Sequence, residues 1–191
     1  MAETPPTYRL SARPALDGFA RTLGDTTLRV LPDMRIVSLA VADDRQAAFE
    51  QAVQTLYTLT PPRVGYAAVT QDQRYRLIGA APEQYLLLAT ERDLFLNAAT
   101  QLNHTAFLTD QSDAWVILEL TGSHSRDVLS RSCMLDLHPV AFAIHQSTRT
   151  LIEQISAYLT RTGEHRYLVQ IPRSSADSLA QALDNTLTFI G

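Results

Sequence analysis

Short strand-like runs alternate with amphipathic helical segments along this chain, and that alternation constrains the fold more than any other feature. Runs 75–80 and 84–89 are rich in aliphatic residues and are joined across residues 81–83, which predicts a hairpin. In segment 91–102 the apolar residues recur at helical spacing instead, at Phe95, Ala98, Ala99 and Leu102. Hairpins interleaved with helices favour antiparallel sheets on which the helices pack. The predicted fold class is therefore α+β.

The same patterns divide the chain into an N-terminal arm, residues 1–25, and two halves. The first half, residues 26–110, is predicted to run βαββαβ, and the second half, residues 111–191, is predicted to run βαββα. The predicted strands are 26–31 and 34–41, which a turn separates and which together form the first β unit of the first half, then 75–80, 84–89, 105–109, 115–120, one long or two short strands in 148–160, and 167–171. Both orders are typical of split-βαβ, ferredoxin-like units.

Polar side chains stand where the predicted helices begin. Such side chains can accept hydrogen bonds from the free backbone N–H groups of a first helical turn. We therefore predict helix caps at Asp43 or Asp44, at Thr90 with Asp93, at Ser123, and at Ser174 with Asp177. For Ser123 a cap is favoured over a catalytic nucleophile, because the Gly-x-Ser-x-Gly pattern of a nucleophile elbow is missing.

Size, charge and hydropathy exclude several classes of protein. A chain of 191 residues can bury a core of its own, and its one cysteine, Cys133, cannot form an internal disulfide. A formal charge of −4, with charges scattered along the chain, disfavours nucleic acid as a partner. No apolar stretch approaches the roughly 20 residues of a bilayer-spanning helix, and residues 1–14 lack the pattern of a secretory signal. The expected setting is the cytoplasm, with no membrane.

No motif for catalysis or cofactor binding stands out. The 7 glycines are not spaced as G-x-G-x-x-G or G-x-x-x-x-G-K-[ST], which are the usual signatures for dinucleotides and nucleoside triphosphates. Cys133 and His138 could form a thiolate and its base, but Cys133 is better interpreted as a small buried hydrophobe. Asp136, His138 and His145 could bind a metal, although their spacing is not a recurring zinc pattern and a structural or interface role is favoured. We expect no catalytic, cofactor or metal site on this chain.

Arg173 stands between Pro172 and the predicted cap Ser174. One interpretation is that its guanidinium clamps an anion or a partner's carboxylate beside a helix N-terminus. The other is that it is a solvated or locally paired arginine. Both interpretations stay open at this point.

Residues 120–139, with the sequence LTGSHSRDVLSRSCMLDLHP, resemble the gamma subunit family of heterotetrameric sarcosine oxidase. The string Cys-Met-Leu-Asp-Leu-His-Pro at 133–139 is the most specific part. Segments 78–87 and 171–179 follow in the order that the family shows, and the resemblance spans residues 75–188. Tyr85 departs from the usual Trp, and Ser175 stands where an aromatic residue is common.

The resemblance implies an α/β subunit related to the folate-binding domains of aminomethyltransferases. In that family the complex oxidises the N-methyl group of sarcosine, with FAD, FMN and NAD on other chains, zinc on the smallest chain and tetrahydrofolate as the one-carbon acceptor. The resemblance therefore implies a non-catalytic gamma subunit without cofactors of its own. Its partners would be larger flavin-bearing subunits that act on sarcosine or a related secondary amine.

The expected interface with these partners comprises Asp136, His138, Phe142 and Arg173, and we expect an exposed apolar patch or groove near it. Two alternatives remain at this point. One is a free-standing folate-binding module, in which Asp136 or Glu119 would hold the pterin ring. The other is a regulatory module on the same scaffold that binds a small molecule or a protein.

Overall fold

The computed structural model describes residues 13–190, so only the last part of the predicted arm 1–25 is described. Within this range antiparallel strands are combined with helices, which agrees with the predicted α+β class. The strands are β1 (Ala20–Leu23), β2 (Thr26–Val30), β3 (Arg35–Val41), β4 (Ala67–Val69), β5 (Tyr75–Ala81), β6 (Gln84–Ala89), β7 (Ala106–Asp110), β8 (Trp115–Thr121), β9 (Ser147–Ile152), β10 (Ile155–Gly163) and β11 (Arg166–Pro172). The helices are α1 (Gln46–Tyr57), α2 (Leu94–Leu102), α3 (Ser125–Ser132) and α4 (Ala176–Ile190), and a 3₁₀ turn, Arg173–Ser175, precedes α4.

Sheet I has the strand order β4-β5-β6-β3-β7, and every neighbouring pair is antiparallel. Successive side chains of a strand point to opposite faces. Val37, Leu39 and Val41 of β3 therefore share one face, where they pack in one apolar cluster with Phe49 of α1 and Leu94 of α2. Strands β5, β6, β3 and β7 with these two helices form the split-βαβ unit predicted for the first half.

Sheet II has the order β1-β2-β8-β11-β10-β9 and is also antiparallel throughout. Leu118 and Leu120 of β8 pack in a second cluster with Val128 of α3 and with Leu179 and Leu183 of α4. Strands β10, β11 and β8 repeat the arrangement of β5, β6 and β3. Helices α3 and α4 take the places of α1 and α2.

Strand β2 corrects one part of the predicted order. It was expected to begin the first half, but it pairs with β8, with Arg29 opposite Glu119, and therefore belongs to sheet II. The position beside β8 corresponds to that of β7 in sheet I, and the strands of residues 111–190 leave it open. Leu28 fills the apolar cluster there with 0% exposure. The subdomain boundaries 26–110 and 111–191 stay a proposal.

A third apolar layer lies between the two sheets. It contains the following buried side chains, which come from strands of both sheets: Ile36, Ala67, Ile78, Leu86, Leu88, Ile117 and Leu168. The molecule is thus layered as helices, sheet I, sheet II, helices. Each fully buried leucine or isoleucine of this layer contributes roughly 1.5–3 kcal/mol relative to an exposed one.

The edge strands β4 and β9 join the two sheets at one side. Tyr66 and Gln146, the residues just before these strands, form an antiparallel bridge. Ala67 N–H donates to His145 O over 2.7 Å, and Ser147 N–H donates to Gly65 O over 2.9 Å. These backbone hydrogen bonds pair groups that an edge strand would otherwise leave open.

The predicted helix caps are wrong at α1, α2 and α3. The residues at these helix starts are Arg45, Asp93 and His124, and none of the three forms a side-chain capping hydrogen bond. At α3 the reason is visible, because Ser123 Oγ donates instead to Asp25 Oδ1 over 2.8 Å. A 3₁₀ turn without a capping side-chain bond likewise replaces the predicted cap at Ser174.

Two short strands, β1 and β4, were not predicted. Both lie at edges of their sheets, and β4 contains only 3 residues. No helix within residues 13–190 combines the length and the apolar character needed to cross a membrane.

Candidate functional site

The loop between α3 and β9, residues 133–146, contains most of the predicted interface residues and has hydrogen bonds within the loop that fix its conformation. Asp136 Oδ1 accepts a hydrogen bond from His138 N–H over 2.9 Å. His138 O then accepts from the N–H groups of Ala141 and Phe142, over 2.9 and 2.8 Å. Asp136 and His138 are both exposed. We refer to residues 133–146 as the α3–β9 loop.

Phe142 was predicted to be an interface residue, but the structure places it in the core. Its side chain is only 2% exposed and packs in the apolar cluster of sheet II, as does Leu137 of the same loop. A partner cannot contact a side chain that is buried in this way. Phe142 and Leu137 therefore anchor the loop, and any contact with a partner must come from their exposed neighbours.

Arg161 is a further anchor of the loop, and the sequence analysis missed it. Although charged, it is only 4% exposed. Its guanidinium donates from Nη1 to Phe142 O over 2.8 Å, from Nε to Gly163 O over 3.1 Å, and from Nη2 to Glu164 O over 3.1 Å. These bonds satisfy the buried cation and tie the α3–β9 loop to the β10–β11 hairpin. Strand alternation was an available signal, because residues 157, 159 and 161 share the core-facing side of β10.

Three apolar side chains of the α3–β9 loop face solvent. Met134 is fully exposed, Val140 is 88% exposed and Ile144 is 45% exposed. Leu151 on the adjacent edge strand β9 is also exposed. It lies near the start of the loop, because its neighbour Ile152 forms a backbone bridge with Cys133. Exposed apolar side chains on one well-anchored loop are typical of a contact surface for another protein.

Arg173, the fourth predicted interface residue, lies far from the α3–β9 loop. Arg161, which contacts the α3–β9 loop, pairs with Tyr167 at one end of β11, whereas Arg173 follows Pro172 at the other end. At about 3.3 Å per residue these positions are ~20 Å apart. The Arg173 guanidinium is 3.9 Å from the carboxylate of Asp113 and also donates to Arg13 O. The structure thus gives Arg173 local partners and does not bring it together with Asp136, His138 and Phe142.

The surroundings of the two candidate nucleophiles, Ser123 and Cys133, favour structural roles. Ser123 binds the Asp25 carboxylate through both its hydroxyl and its N–H. Cys133 is half-buried, and burial raises the pKa of its thiol, which disfavours the thiolate. Within the described range no three His, Cys, Asp or Glu side chains converge in a way that could hold a metal ion.

A second candidate site is a cleft of about 380 Å³ between the two sheets. Its polar lining comes from Gln73, Arg74, Arg76, Thr90, Glu119, Thr162 and Arg166, and its apolar lining from Leu31, Met34, Leu88, Ala89 and Leu168. Strand alternation explains the mixture, since Ile117 and Ile78 lie two residues from Glu119 and Arg76 on the same strand faces and belong to the apolar inter-sheet layer. The sequence analysis named Glu119 as a carboxylate for a pterin ring but identified none of these arginines.

Glu119 is buried in this cleft between two arginines. Its Oε2 lies 2.6 Å from Arg29 Nη2, and its Oε1 lies 2.6 Å from Arg166 Nη2. The carboxylate has only 4% of its side chain exposed, so the two guanidinium groups are what make its burial tolerable. Asp136, the other predicted pterin carboxylate, does not line this cleft.

The architecture defines the class: an α+β protein of two antiparallel sheets, with helices outside, a well-anchored apolar loop and no cluster of metal ligands among residues 13–190. The model of the sarcosine oxidase, gamma subunit family matches residues 41–187, which is more than half of the chain. The chain belongs to that family, and the resemblance drawn from residues 120–139 is confirmed.

Curated relatives give the same result. The chain is 30% identical over 129 residues to the sarcosine oxidase subunit gamma of Corynebacterium sp. (strain P-1), a match that covers 66% of this chain and 63% of the relative. It is 31% identical over 120 residues to the corresponding subunit of Arthrobacter sp., covering 62% of this chain and 58% of the relative. The chain thus spans less than two thirds of the length of these relatives.

Solved structures share the fold. A chain of the heterotetrameric sarcosine oxidase from Corynebacterium sp. U-96, in complex with pyrrole 2-carboxylate, superposes with a TM-score of 0.76 at 23% identity, over 87% of this chain and 86% of that one. Aminomethyltransferase T of the glycine cleavage system from Bartonella henselae superposes with a TM-score of 0.58 at 15% identity, over 83% of this chain and 45% of that one. The predicted relation to aminomethyltransferases is confirmed at the level of the fold.

Proposed function

We propose that this chain is the non-catalytic gamma subunit of a heterotetrameric, sarcosine oxidase-like complex that oxidatively demethylates sarcosine or a related secondary amine. The observation that carries this proposal is the family match over residues 41–187. The proposal assigns FAD, FMN, NAD, zinc and tetrahydrofolate to the partner subunits and gives this chain a structural role. It also places the complex in the cytoplasm.

The contact with the larger flavin-bearing subunits is proposed to centre on the α3–β9 loop. Met134, Val140 and Ile144 are the exposed apolar side chains of this loop. Arg161 and Phe142 hold the loop backbone from inside, so little ordering entropy would have to be lost when a partner binds. Asp136 and His138, exposed beside these residues, would form part of the polar rim.

Capture of the tagged chain from cells that express it tests the proposed function. Mass spectrometry of the eluate should show larger subunits in fixed stoichiometry, and its absorbance spectrum should show flavin. A colourless chain that purifies alone, under conditions in which sarcosine is oxidised in the cell, would overturn the proposal. Binding of tetrahydrofolate by that solitary chain would then favour the folate-binding module.

The position of the contact needs a separate comparison. Val140→Asp should reduce the yield of co-purified subunits at least about tenfold, because it would bury a charge in an apolar contact. Leu96→Asp is the matched control, since Leu96 is also exposed, at 62%, but lies on α2 of the other half. Arg173→Ala tests the predicted contact at the far end of β11. If Val140→Asp leaves the complex intact, the proposed contact at the loop is wrong even though the subunit assignment stands, and a loss with Arg173→Ala alone would place the contact at the far end of β11.

A further inference from the structure

The cleft between the sheets contains more positive than negative charge. Glu119 is shared by Arg29 and Arg166, which bind one carboxylate oxygen each. Arg74 is compensated separately, because its Nη2 lies 3.2 Å from Glu91 Oε2. Arg76 forms no salt bridge with any residue in the described range. The arginines of the cleft therefore exceed its carboxylates.

Arg76 is the most unusual of these residues. Its Nη1 is buried and has no hydrogen-bond partner among residues 13–190. Burial lowers the pKa of Arg76, and the nearby positive charge of Arg166 lowers it further. His145 is a second basic neighbour of Arg76, and its own pKa is lowered by burial and by the charge of Arg76. A buried cation among other cations destabilises a chain unless an anion is added.

The rest of the cleft suits an anion that has an apolar part. Leu31, Met34, Leu88 and Leu168 form the apolar lining. Thr90 and Thr162 add hydroxyl groups that can donate hydrogen bonds. The volume of about 380 Å³ falls at the lower end of the range for small-molecule pockets, and both walls are sheets of this same chain. A small molecule therefore fits this place better than a segment of a second protein.

We propose that the inter-sheet cleft binds a small organic oxyanion, a carboxylate or a phosphate monoester. Arg76 and Arg166 donate to its oxygens, and its apolar part packs against Leu88 and Leu168. Guanidinium groups suit this role because their planar N–H donors match two oxygens of a carboxylate or phosphate at once. This site is independent of the proposed role as a subunit and involves none of the loop residues that contact the partner in that proposal.

The test uses the purified full chain with phenyl phosphate, benzoate and inorganic phosphate as probes, measured by calorimetric titration and by the thermal midpoint. Phenyl phosphate or benzoate should bind saturably and raise Tm, and inorganic phosphate should bind more weakly because it has no apolar part. Tighter binding of phenyl phosphate would indicate a site for phosphate monoesters, and tighter binding of benzoate would indicate a site for carboxylates. Absence of saturable binding of every probe at millimolar concentration overturns the proposal.

Arg76→Met separates a binding role from a structural one. The variant should raise Tm of the ligand-free chain, because it removes an uncompensated buried charge, and should weaken probe binding about tenfold or more. Arg149→Met is the matched control, since Arg149 is exposed on the edge strand β9 and donates to Ser156. The proposal fails if Arg76→Met lowers Tm and leaves binding unchanged, or if both variants weaken binding equally.

A second variant keeps the test decisive if Arg76→Met does not fold. Arg76→Lys retains the charge but loses the planar pair of donors, so it should fold and bind the probe several-fold more weakly. Titration of the assembled complex with the same probes tests whether a small molecule or a group of another subunit occupies the cleft. If the probe binds the free chain but not the complex, because an acidic side chain of another subunit fills the cleft, the small-molecule proposal is overturned.

Discussion

The two halves of the molecule have the same strand arrangement but different chain connections. In sheet I, β7 follows α2 directly in the sequence and pairs beside β3. In sheet II the equivalent position beside β8 is filled by β2, which precedes the whole unit. The comparison teaches that the outer position of a split-βαβ sheet requires a strand of suitable pattern, and that the strand can come from either end of the unit.

The loops before the edge strands differ as well. In the first half, residues 58–66 pass so close to β5 that a Cβ on Gly79 would lie 2.6 Å from Arg63 O, and Arg63 stacks 4.0 Å over the ring of Tyr66. In the second half the equivalent α3–β9 loop buries Leu137 and Phe142 against sheet II but exposes Met134 and Val140. Residues 58–66 thus expose one large apolar side chain, Val64, whereas the α3–β9 loop exposes three, Met134, Val140 and Ile144.

Phe142→Ala should give the largest effect, because it removes the main anchor of the exposed loop. Truncating a buried phenylalanine costs about 4 kcal/mol in the free energy of unfolding. Val140→Ala, only two residues away but 88% exposed, should change it by less than about 0.5 kcal/mol. Urea unfolding of both variants measures the contrast. Similar losses for the two would mean that the loop packs differently from the structure.

Gly122→Ala should have the next largest effect, a loss of about 3 kcal/mol in the free energy of unfolding. It would disturb the pairing of β8 with β2, which we call the borrowed strand because it precedes the unit to which it adds a strand. Gly122 has φ +109°, and a Cβ there would collide with Asp25 O and lie 2.5 Å from Thr26 Cα. Gly24→Ala is the control, since Gly24 has φ +60° with open space around it and should cost only about 1 kcal/mol. Equal costs in urea unfolding would show that backbone conformation alone, and not the contact with β2, sets the requirement for glycine.

Most elements of the two halves were predictable because each contains its own pattern. The apolar stripe of α2 and the short aliphatic runs of β3, β5 and β6 are local signals, and they led to the α+β class. The sheet to which β2 belongs was not predictable, since strands that follow each other usually pair and Leu28 could face either core. Strand β4, with 3 residues, is too short to show a period.

The two candidate sites differ in the same way, since one was predictable from a local pattern and the other was not. The α3–β9 loop was found from the local string 133–139, but which of its residues face inward depends on packing, and Phe142 was assigned to the wrong side. Arg161 could have been found from strand alternation alone. The cleft could not, because Arg76 and Glu119 lie on different sheets and meet only when the sheets pack.

Arg161→Met should cost about 2 kcal/mol and loosen only the second half. It removes three hydrogen bonds to backbone carbonyls, although it also removes the cost of a buried charge. Hydrogen exchange should show faster exchange in residues 133–146 and unchanged exchange in 58–66. Arg149→Met, on the exposed edge strand, should alter neither. Uniform loss of protection in both loops would contradict a local anchoring role.

Asp25 gives the smallest expected effect and tests how the borrowed strand is attached. Its carboxylate accepts from Ser123 Oγ over 2.8 Å, from Ser123 N–H over 3.1 Å and from Thr26 Oγ1 over 3.1 Å. The bond from the Ser123 hydroxyl, followed by that from the Ser123 N–H, lowers the pKa of Asp25. A carboxyl whose pKa is lowered by folding stabilises the fold above its unfolded pKa of about 3.9, and that contribution is lost as the pH falls through the folded pKa.

Asp25→Asn should therefore reduce the midpoint of urea unfolding slightly at neutral pH and flatten its decline below about pH 4, since one of the titrating groups is gone. Asp43→Asn, at an exposed carboxylate before α1, should leave that decline unchanged. If the two variants show the same pH profile, the link between Asp25 and Ser123 does not hold β2 against β8. The complementary packing of Leu28 and the backbone ladder would then be sufficient to keep the borrowed strand in sheet II.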